Sequence, residues 1–286
     1  MSKKPSFLIA PLLLAAGLFF FVLTRNEPRR FSPASTHSVK GMVAEIVAAT
    51  PDERTLVYTD SDAQQVGWID ISNPQQPCED KPTEVNGEPT SVALTPDGEW
   101  ALCVVRDVLQ RKTSEPQHEL VVIDAKSHRL VRRMKLGGQP DCIEISSDGK
   151  FAAIAIENER RDTEAPMPQS PGGWVSIIDL QGEPAQWKER HVSLDGLAER
   201  FANDPEPEYI AINEQNEAAV TLQENNAVVI IDLASGKVLE HWSCGTTTCG
   251  RPRRQWQRFF VRSIEEYAAR ARWNRLDFQR QSNHCP

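Results

Sequence analysis

The stretch PTSVALTPDGEW at residues 89–100 decides the fold of this chain, together with LVVID at residues 120–124. It reads as an apolar run, a tight Asp-Gly turn, a second apolar run and a third run that ends in Ile-Asp. Asp-Gly between two apolar runs is a strong hairpin signal, and Gly98 supplies the positive φ that such a turn requires. The stretch therefore predicts three short antiparallel strands.

The same unit occurs four times in the chain. Its turns begin at Asp52, Asp97, Asp148 and Gln215, which are 45, 51 and 67 residues apart. The added length falls in the loops between the second and third strands. Repeats of this length that hold several short strands are typical of β-propeller blades. We predict an all-β protein, an incomplete β-propeller of about four blades with an N-terminal hydrophobic helix.

Each third strand ends in the same Ile-Asp pair. The isoleucines predicted on equivalent strands are Ile69, Ile123, Ile178 and Ile231. The aspartates that follow them are Asp70, Asp124, Asp179 and Asp232. They could form a functional row, but Asp at a strand end commonly accepts a hydrogen bond from the next turn. We expect each of the four to close its strand in this way.

The N-terminus has the pattern of an export signal. Lys3 and Lys4 precede an apolar run over residues 7–23, which is the order of a secretory signal and also the shortest length that spans a bilayer. We predict a signal peptide or membrane anchor at residues 1–24, a polar linker at 25–41 and propeller blades at 42–248. The protein is then periplasmic, secreted or anchored facing outside, and it contacts the membrane only through the N-terminal segment.

Charge is distributed unevenly along the chain. The net charge is −8, which argues against nucleic acid as a partner. Residues 251–286 nevertheless hold nine Arg and three acidic residues. Residues 270–286 can be encoded by codons that, read one base later, give a different peptide. That peptide contains a proline followed eight positions later by an Asn-Gly turn, as at the start of a blade. We therefore favour an aberrant, frameshifted tail at 249–286 and a truncated propeller. A basic terminal helix is the alternative, and the genomic sequence distinguishes the two.

Strand alternation places the candidate site on one face. The loops at 107–119, 157–173 and 195–207 share a face with the starts of the first strands, and long irregular loops are where binding residues concentrate. First strands line the channel of a propeller. We predict a ligand-binding mouth on this face. Its candidate residues are Glu45, Asp141, Glu208, Glu224 and Asn225.

Carboxylates and amides without thiolates suit a hard cation such as Ca²⁺. Calcium is therefore the cofactor to consider, although the sequence assigns none, and a solvated acidic face is the alternative. Cys103 and Cys142 fall within predicted strands, where a small buried hydrophobe is expected. The six His are scattered and no Gly-x-Ser-x-Gly occurs, so we assign no catalytic residue and no metal ligand.

Two stretches are more specific than a generic blade. Residues 205–212 read PEPEYIAI and residues 221–233 read TLQENNAVVIIDL. They resemble the exported propellers described as choice-of-anchor I proteins, some of which are labelled alkaline-phosphatase-like or phytase-like. The remaining copies resemble YVTN-type surface repeats. The resemblance covers about residues 42–248 and implies a secreted or surface propeller, conventionally with more than four blades.

These observations lead to two functional hypotheses. The first is an exported propeller that binds an extracytoplasmic protein or a small ligand and has no enzymatic activity. The alternative is a Ca²⁺-dependent phosphoesterase, a phosphoric ester hydrolase. The esterase needs several carboxylates that converge within metal-ligand distance, plus a basic residue such as Arg106 or Arg160 for phosphate. An inactive remnant is a third possibility.

Overall fold

A computed structural model describes residues 33–39, 43–107, 117–157, 168 and 171–245. It divides the chain into residues 1–36 and residues 37–286. In the first unit, the described residues 33–36 are exposed and form neither helix nor strand. The predicted signal or anchor, most of the linker and the predicted aberrant tail lie outside the described residues. Within the described ranges, no helix is long and apolar enough to cross a membrane.

The described residues of the second unit contain sixteen strands in four sheets. The first sheet contains β1 (Ala44–Ala49), β2 (Thr55–Asp60), β3 (Gln65–Asp70) and β4 (Cys78–Glu84). The second contains β5 (Glu88–Leu94), β6 (Trp100–Arg106), β7 (Glu119–Asp124) and β8 (Arg129–Lys135). The third contains β9 (Gln139–Ile145), β10 (Phe151–Glu157), β11 (Trp174–Asp179) and β12 (Lys188–Ser193). The fourth contains β13 (Pro207–Ile212), β14 (Glu217–Leu222), β15 (Ala227–Asp232) and β16 (Lys237–Ser243).

Each sheet is one blade, with its strands in chain order and every neighbouring pair antiparallel. The four isoleucines of the Ile-Asp pairs all lie one residue before the end of a third strand, in β3, β7, β11 and β15. The predicted all-β fold and the equivalence of these strands are therefore confirmed. A short 3-10 turn at Pro184–Gln186 precedes β12.

The core lies between consecutive blades. The second and third strands are nearly continuous apolar runs because both of their faces are covered by neighbouring parts of the protein. Trp68 is buried between blades 1 and 2, Ile154 between blades 2 and 3, and Ile177 between blades 3 and 4. The fourth strands are mostly exposed and polar, as β4 shows. This gradient from the inner to the outer strands explains the repeating pattern of the sequence.

The Asp-Gly turns also join neighbouring blades. Gly98 has a φ of 74°, and a Cβ on it would lie 3.2 Å from Pro51 of the preceding blade. Gly149 has a φ of 70° and faces Pro96 in the same way. Asn216 adopts a φ of 60° and donates its amide to Asp148 at 2.9 Å. The positive φ of Gly98 was predicted, and Gly149 and Asn216 share it. The turns therefore serve both strand reversal and blade packing.

Three of the four Ile-Asp aspartates close their strands as predicted. Asp70, Asp124 and Asp232 accept hydrogen bonds from the backbone N–H groups of serines in the next turn, at 2.8, 2.6 and 2.6 Å. The prediction is wrong for Asp179, which forms a bidentate ion pair with Arg190 at 2.9 and 3.0 Å. Leu180, Gln181 and Gly182 follow Asp179 where the other blades have a serine, and the 3-10 turn begins at Pro184.

Candidate functional site

The first strand of every blade carries an irregularity near its start. The pairing shifts between Ala44 and Val47 in β1, between Pro89 and Ser91 in β5, and between Pro207 and Ile210 in β13. In β9 the shift falls between Pro140 and Ile143. Bulges of this kind re-aim side chains and are common beside functional sites. The sequence-predicted residues Glu45, Asp141 and Glu208 lie inside three of these bulges, and Thr90 lies inside the fourth.

The bulges of β9 and β13 bring two carboxyl groups together. Asp141 and Glu208 are hydrogen-bonded to each other through their side chains. Two carboxylates repel each other, so a hydrogen bond between them requires that they share a proton. We refer to these two residues as the carboxyl pair.

Burial is the main cause of the raised pKa values of the carboxyl pair. It raises the pKa of Glu208 to about 8, with further contributions from the negative charges of Asp141, Glu157, Glu224 and Glu206 in that order. Burial also raises the pKa of Asp141, against which the hydrogen bond from Glu208 and the positive charge of Arg106 act. The pair and these neighbours form the acidic mouth, whose members are Asp141, Glu157, Glu206, Glu208 and Glu224.

Asn225 ties the loops of the mouth together. Its Oδ1 accepts a hydrogen bond from the backbone N–H of Glu206 at 2.8 Å. Its Nδ2 donates to the carbonyl oxygens of Arg200, Phe201 and Asp204 at 3.0, 3.2 and 2.8 Å. Asn225 is only 2% exposed, so its side chain positions the backbone from Arg200 to Glu206.

Gln139 lies at the edge of the acidic mouth. It is 8% exposed, and its Nε2 donates to Glu157 Oε2 at 3.1 Å. Its Oε1 is buried and accepts no hydrogen bond, and the same holds for Oε2 of Glu224. Buried acceptors without a donor cost free energy. Both atoms are therefore available to a donor that enters the mouth.

The structure gathers some of the sequence-predicted residues and separates others. Asp141, Glu208 and Glu224 are brought together, and Asn225 sits behind them as a positioning residue. Glu45 lies on β1, where it is exposed to solvent.

Sequence reasoning missed Gln139 and Glu206 as members of this region. Gln139 precedes a leading proline, Pro140, and Glu206 stands between Pro205 and Pro207. Position next to these prolines is the sequence signal that could have found both residues.

A close backbone approach underlies the mouth. The N–H of Gly173 donates to the carbonyl of Pro205 at 2.7 Å. A Cβ on Gly173 would lie 2.6 Å from Cδ of Pro207 and would also collide with the carbonyl oxygen of Ile156. Only glycine fits where the start of β11 meets the segment that carries Glu206 and Glu208.

No metal centre is preformed in the part of the chain that the structure describes. Within these residues, no group of three or more His, Cys, Asp or Glu side chains is arranged to hold a metal ion. The described cysteines, Cys78, Cys103, Cys142 and Cys244, are free thiols. Burial raises the pKa of the Cys142 thiol to about 12, so this thiol is an unreactive packing group, as expected for a strand residue.

The raised pKa of Glu208 predicts a pH-dependent stability. The pKa of about 8 lies above the 4.5 of an ordinary Glu, so the folded state binds the extra proton. The stabilisation is present below pH 4.5 and is lost as the pH rises through about 8. Because the group is half-exposed, we expect a loss of only about 1–2 kcal/mol after discounting for solvent screening.

Glu208→Gln should remove this pH dependence. Urea unfolding between pH 5 and pH 9 is expected to show the variant gaining stability over the wild type as the pH rises. Glu240→Gln makes the same charge change on the exposed outer strand β16 and should leave the two curves parallel. Parallel curves for Glu208→Gln as well would show that Glu208 is an ordinary surface acid.

Four radially packed antiparallel blades, with a loop-bearing mouth at the inner strands, define the class of this protein as a β-propeller. A family profile described as "Choice-of-anchor I domain" matches residues 45–254. The chain therefore belongs to the choice-of-anchor I family. The stretches that indicated this family by sequence carry Glu206, Glu208, Glu224 and Asn225, which meet at the mouth.

One solved structure supports the same fold, and a second structure is given with it for its similarity in sequence. The β-propeller domain of Cps50 (Swd1) from Myceliophteria thermophila matches with a TM-score of 0.55 and 11% identity, over 74% of this chain and 58% of that one. Hydrazine synthase from Kuenenia stuttgartiensis matches with a TM-score of 0.39 and 19% identity, over 66% of this chain and 64% of that one. The chain thus spans less than two thirds of either structure. No curated protein matches the chain.

Proposed function

We propose that this protein is an extracytoplasmic β-propeller that binds its ligand at the acidic mouth and catalyses no reaction. The observation that carries the proposal is the hydrogen-bonded carboxyl pair of Asp141 and Glu208, held on two neighbouring inner strands. Two carboxyl groups that share one proton keep one negative charge, and this charge can interact with an incoming ligand.

The loops around the pair support a preorganised site. Asn225 fixes the 200–206 segment through four hydrogen bonds, and Gly173 permits the close approach of the Pro205 carbonyl. Side chains held by such contacts lose little conformational freedom on binding, which favours affinity. Loops supported by a rigid sheet scaffold are common binding surfaces.

The alternative phosphoesterase has less support. It needs several carboxylates around a metal ion and a basic group for phosphate. Among the described residues no three carboxylates converge at metal-ligand distance. Arg106 is close to Asp141, but its Nε and Nη2 both donate to Oε2 of Glu88, at 3.2 and 2.7 Å. Binding without hydrolysis is therefore the simpler use of this geometry.

The site is tested by calorimetry on the full-length chain with three probes, namely CaCl₂, butylamine and p-nitrophenyl phosphate. We expect at least one probe to bind and its affinity to fall in both Asp141→Asn and Glu208→Gln. Glu240→Gln serves as the matched control and should bind like the wild type. The absence of any binding, or binding unchanged in both mouth variants, would overturn the proposal. Release of p-nitrophenol with Ca²⁺ would support the esterase instead.

Export is part of the same proposal. The basic residues and apolar run of residues 1–24 favour it, and membership of a choice-of-anchor family is consistent with a cell-surface or extracellular protein. A fusion of residues 1–41 to a reporter that is active only outside the cytoplasm should give signal. Retention of the fusion in the cytosol would remove this part of the proposal.

A further inference from the structure

We propose that the ligand of the acidic mouth is a protonated alkyl amine, whose ammonium group replaces the proton shared by Asp141 and Glu208. This inference rests on the proposed function and adds the chemical class of the ligand. Three features of the described residues lead to it, namely the charge, the free acceptor atoms and the shared proton.

The charge of the mouth calls for a cation. The acidic mouth collects carboxyl groups from several elements. Asp141 comes from β9, Glu208 from β13 and Glu157 from the end of β10, while Glu224 and Glu206 come from the loops beside them.

Among the described residues, the guanidinium of Arg106 at the end of β6 is a positive charge that acts on Asp141. Glu88 neutralises that guanidinium through a contact of 2.7 Å. A second positive charge is therefore favourable at the pair, where burial strengthens electrostatic interactions.

The unpaired acceptor atoms of the mouth favour a ligand with hydrogen-bond donors. Gln139 Oε1 and Glu224 Oε2 are buried acceptors that receive no hydrogen bond. Gln139 is more than nine-tenths buried, and its amide contacts Glu157 of the cluster. An amide oxygen accepts N–H or O–H donors but cannot pair with an anion. A donor that is also a cation satisfies the charge and the acceptors together.

An alkylammonium group has the required form. It carries three N–H donors on one compact charge, and each forms hydrogen bonds of about 2.7–2.9 Å to carboxylate oxygens. Calcium instead needs six to eight oxygen ligands at about 2.3–2.6 Å. The described carboxylates do not converge to that degree, whereas an ammonium group needs only three acceptors, and the amide oxygen of Gln139 is available as one of them.

The exchange balances in charge and protons. The free pair holds one proton and one negative charge. The ammonium group arrives with one positive charge, the shared proton leaves to solvent, and the two carboxylates then face the cation. Since Glu208 has a pKa of about 8 and an alkylamine keeps its proton to about pH 10, the two charge states coexist around pH 8–9. No covalent bond is made or broken.

Calorimetry on the full-length chain with butylamine tests the inference. We expect the affinity to rise about tenfold or more between pH 6.5 and pH 8.5, because the competing proton is lost over that range. At pH 6.5, titrations in buffers with different ionisation enthalpies should show release of close to one proton per amine bound. At pH 8.5, Glu208→Gln and Asp141→Asn should each weaken binding at least tenfold, and Glu240→Gln should not.

Two further ligands test whether the N–H donors are needed and whether the natural amine is a free amine or a lysine side chain. Tetramethylammonium chloride carries the charge without N–H donors and should bind at least tenfold more weakly than butylamine. Nα-acetyl-lysine amide carries the same ammonium group on an amino-acid side chain. Tighter binding of this compound identifies a protein lysine as the natural source, and tighter binding of butylamine identifies a free amine.

Three outcomes would overturn the inference: tetramethylammonium binding as tightly as butylamine, amine binding unaffected by both mouth variants, or no proton release at pH 6.5. If CaCl₂ binds in a manner that depends on Asp141 and Glu208 while butylamine does not bind, the inference fails and the proposed function stands. If none of the probes binds, both fail.

Discussion

Replacement of Asn225 by Ala is expected to lower the free energy of unfolding by about 3 kcal/mol or more. The side chain is 2% exposed and forms four hydrogen bonds to backbone groups of residues 200–206. Truncation leaves the N–H of Glu206 and three carbonyl oxygens without this partner. Each buried group left unsatisfied costs about 1–3 kcal/mol.

Urea unfolding of the full-length variant, followed by tryptophan fluorescence, measures this loss. Asn73→Ala is the matched control, because Asn73 lies in an exposed turn and accepts a single long hydrogen bond of 3.3 Å from Gln75. The control should stay within about 0.5 kcal/mol of the wild type. A loss below about 1 kcal/mol for Asn225→Ala would mean that the loop rearranges and that Asn225 does not position the mouth.

Gly173→Ala is expected to destabilise the protein by about 3 kcal/mol and to disturb the carboxyl pair at the same time. The added methyl group would stand 2.8 Å from the carbonyl oxygen of Pro205 and 2.6 Å from Cδ of Pro207. These are backbone and ring atoms, which cannot turn aside as a flexible side chain does. The segment from Pro205 to Glu208 must therefore move away from β11.

Gly196→Ala separates this clash from the general cost of replacing glycine. No atom lies within 4 Å of a Cβ built on Gly196, whose φ is 78°, so its cost is limited to left-handed strain of about 1–2 kcal/mol. Gly173→Ala should also reduce the pH dependence of stability that Glu208 confers, which Gly196→Ala should leave intact. Equal losses in the two variants, with equal pH dependence, would contradict the close approach at Gly173.

Much of the fold could be predicted because it depends on local pattern. The Asp-Gly turns at Gly98 and Gly149 require positive φ wherever they occur, and the runs ending at Ile123 and Ile178 are long enough to be strands and too short for helices. The exception at Asp179 has a local cause as well. A different turn follows Asp179, and Arg190 on the neighbouring strand forms an ion pair with its carboxylate.

The site could be predicted only in part. Alternation of strands and turns placed Asp141 and Glu208 on one face, since both follow a leading proline. Nothing local shows that β9 and β13 bring their carboxyl groups within hydrogen-bond distance, or that Glu45 on β1 is left exposed. The structural role of Asn225 also depends on a loop about twenty residues away in sequence.

The sequence by itself determined that this chain is a blade repeat, where its strands and turns fall, and which face carries acidic residues, because these properties follow from the period of the pleat and the steric needs of turns. Only the tertiary structure decided which acids meet, that Asp141 and Glu208 share a proton, and that Asn225 and Gly173 hold the mouth. These depend on the packing of one blade against the next, and burial and neighbouring charge change the acidity of a group only when such packing brings the groups together.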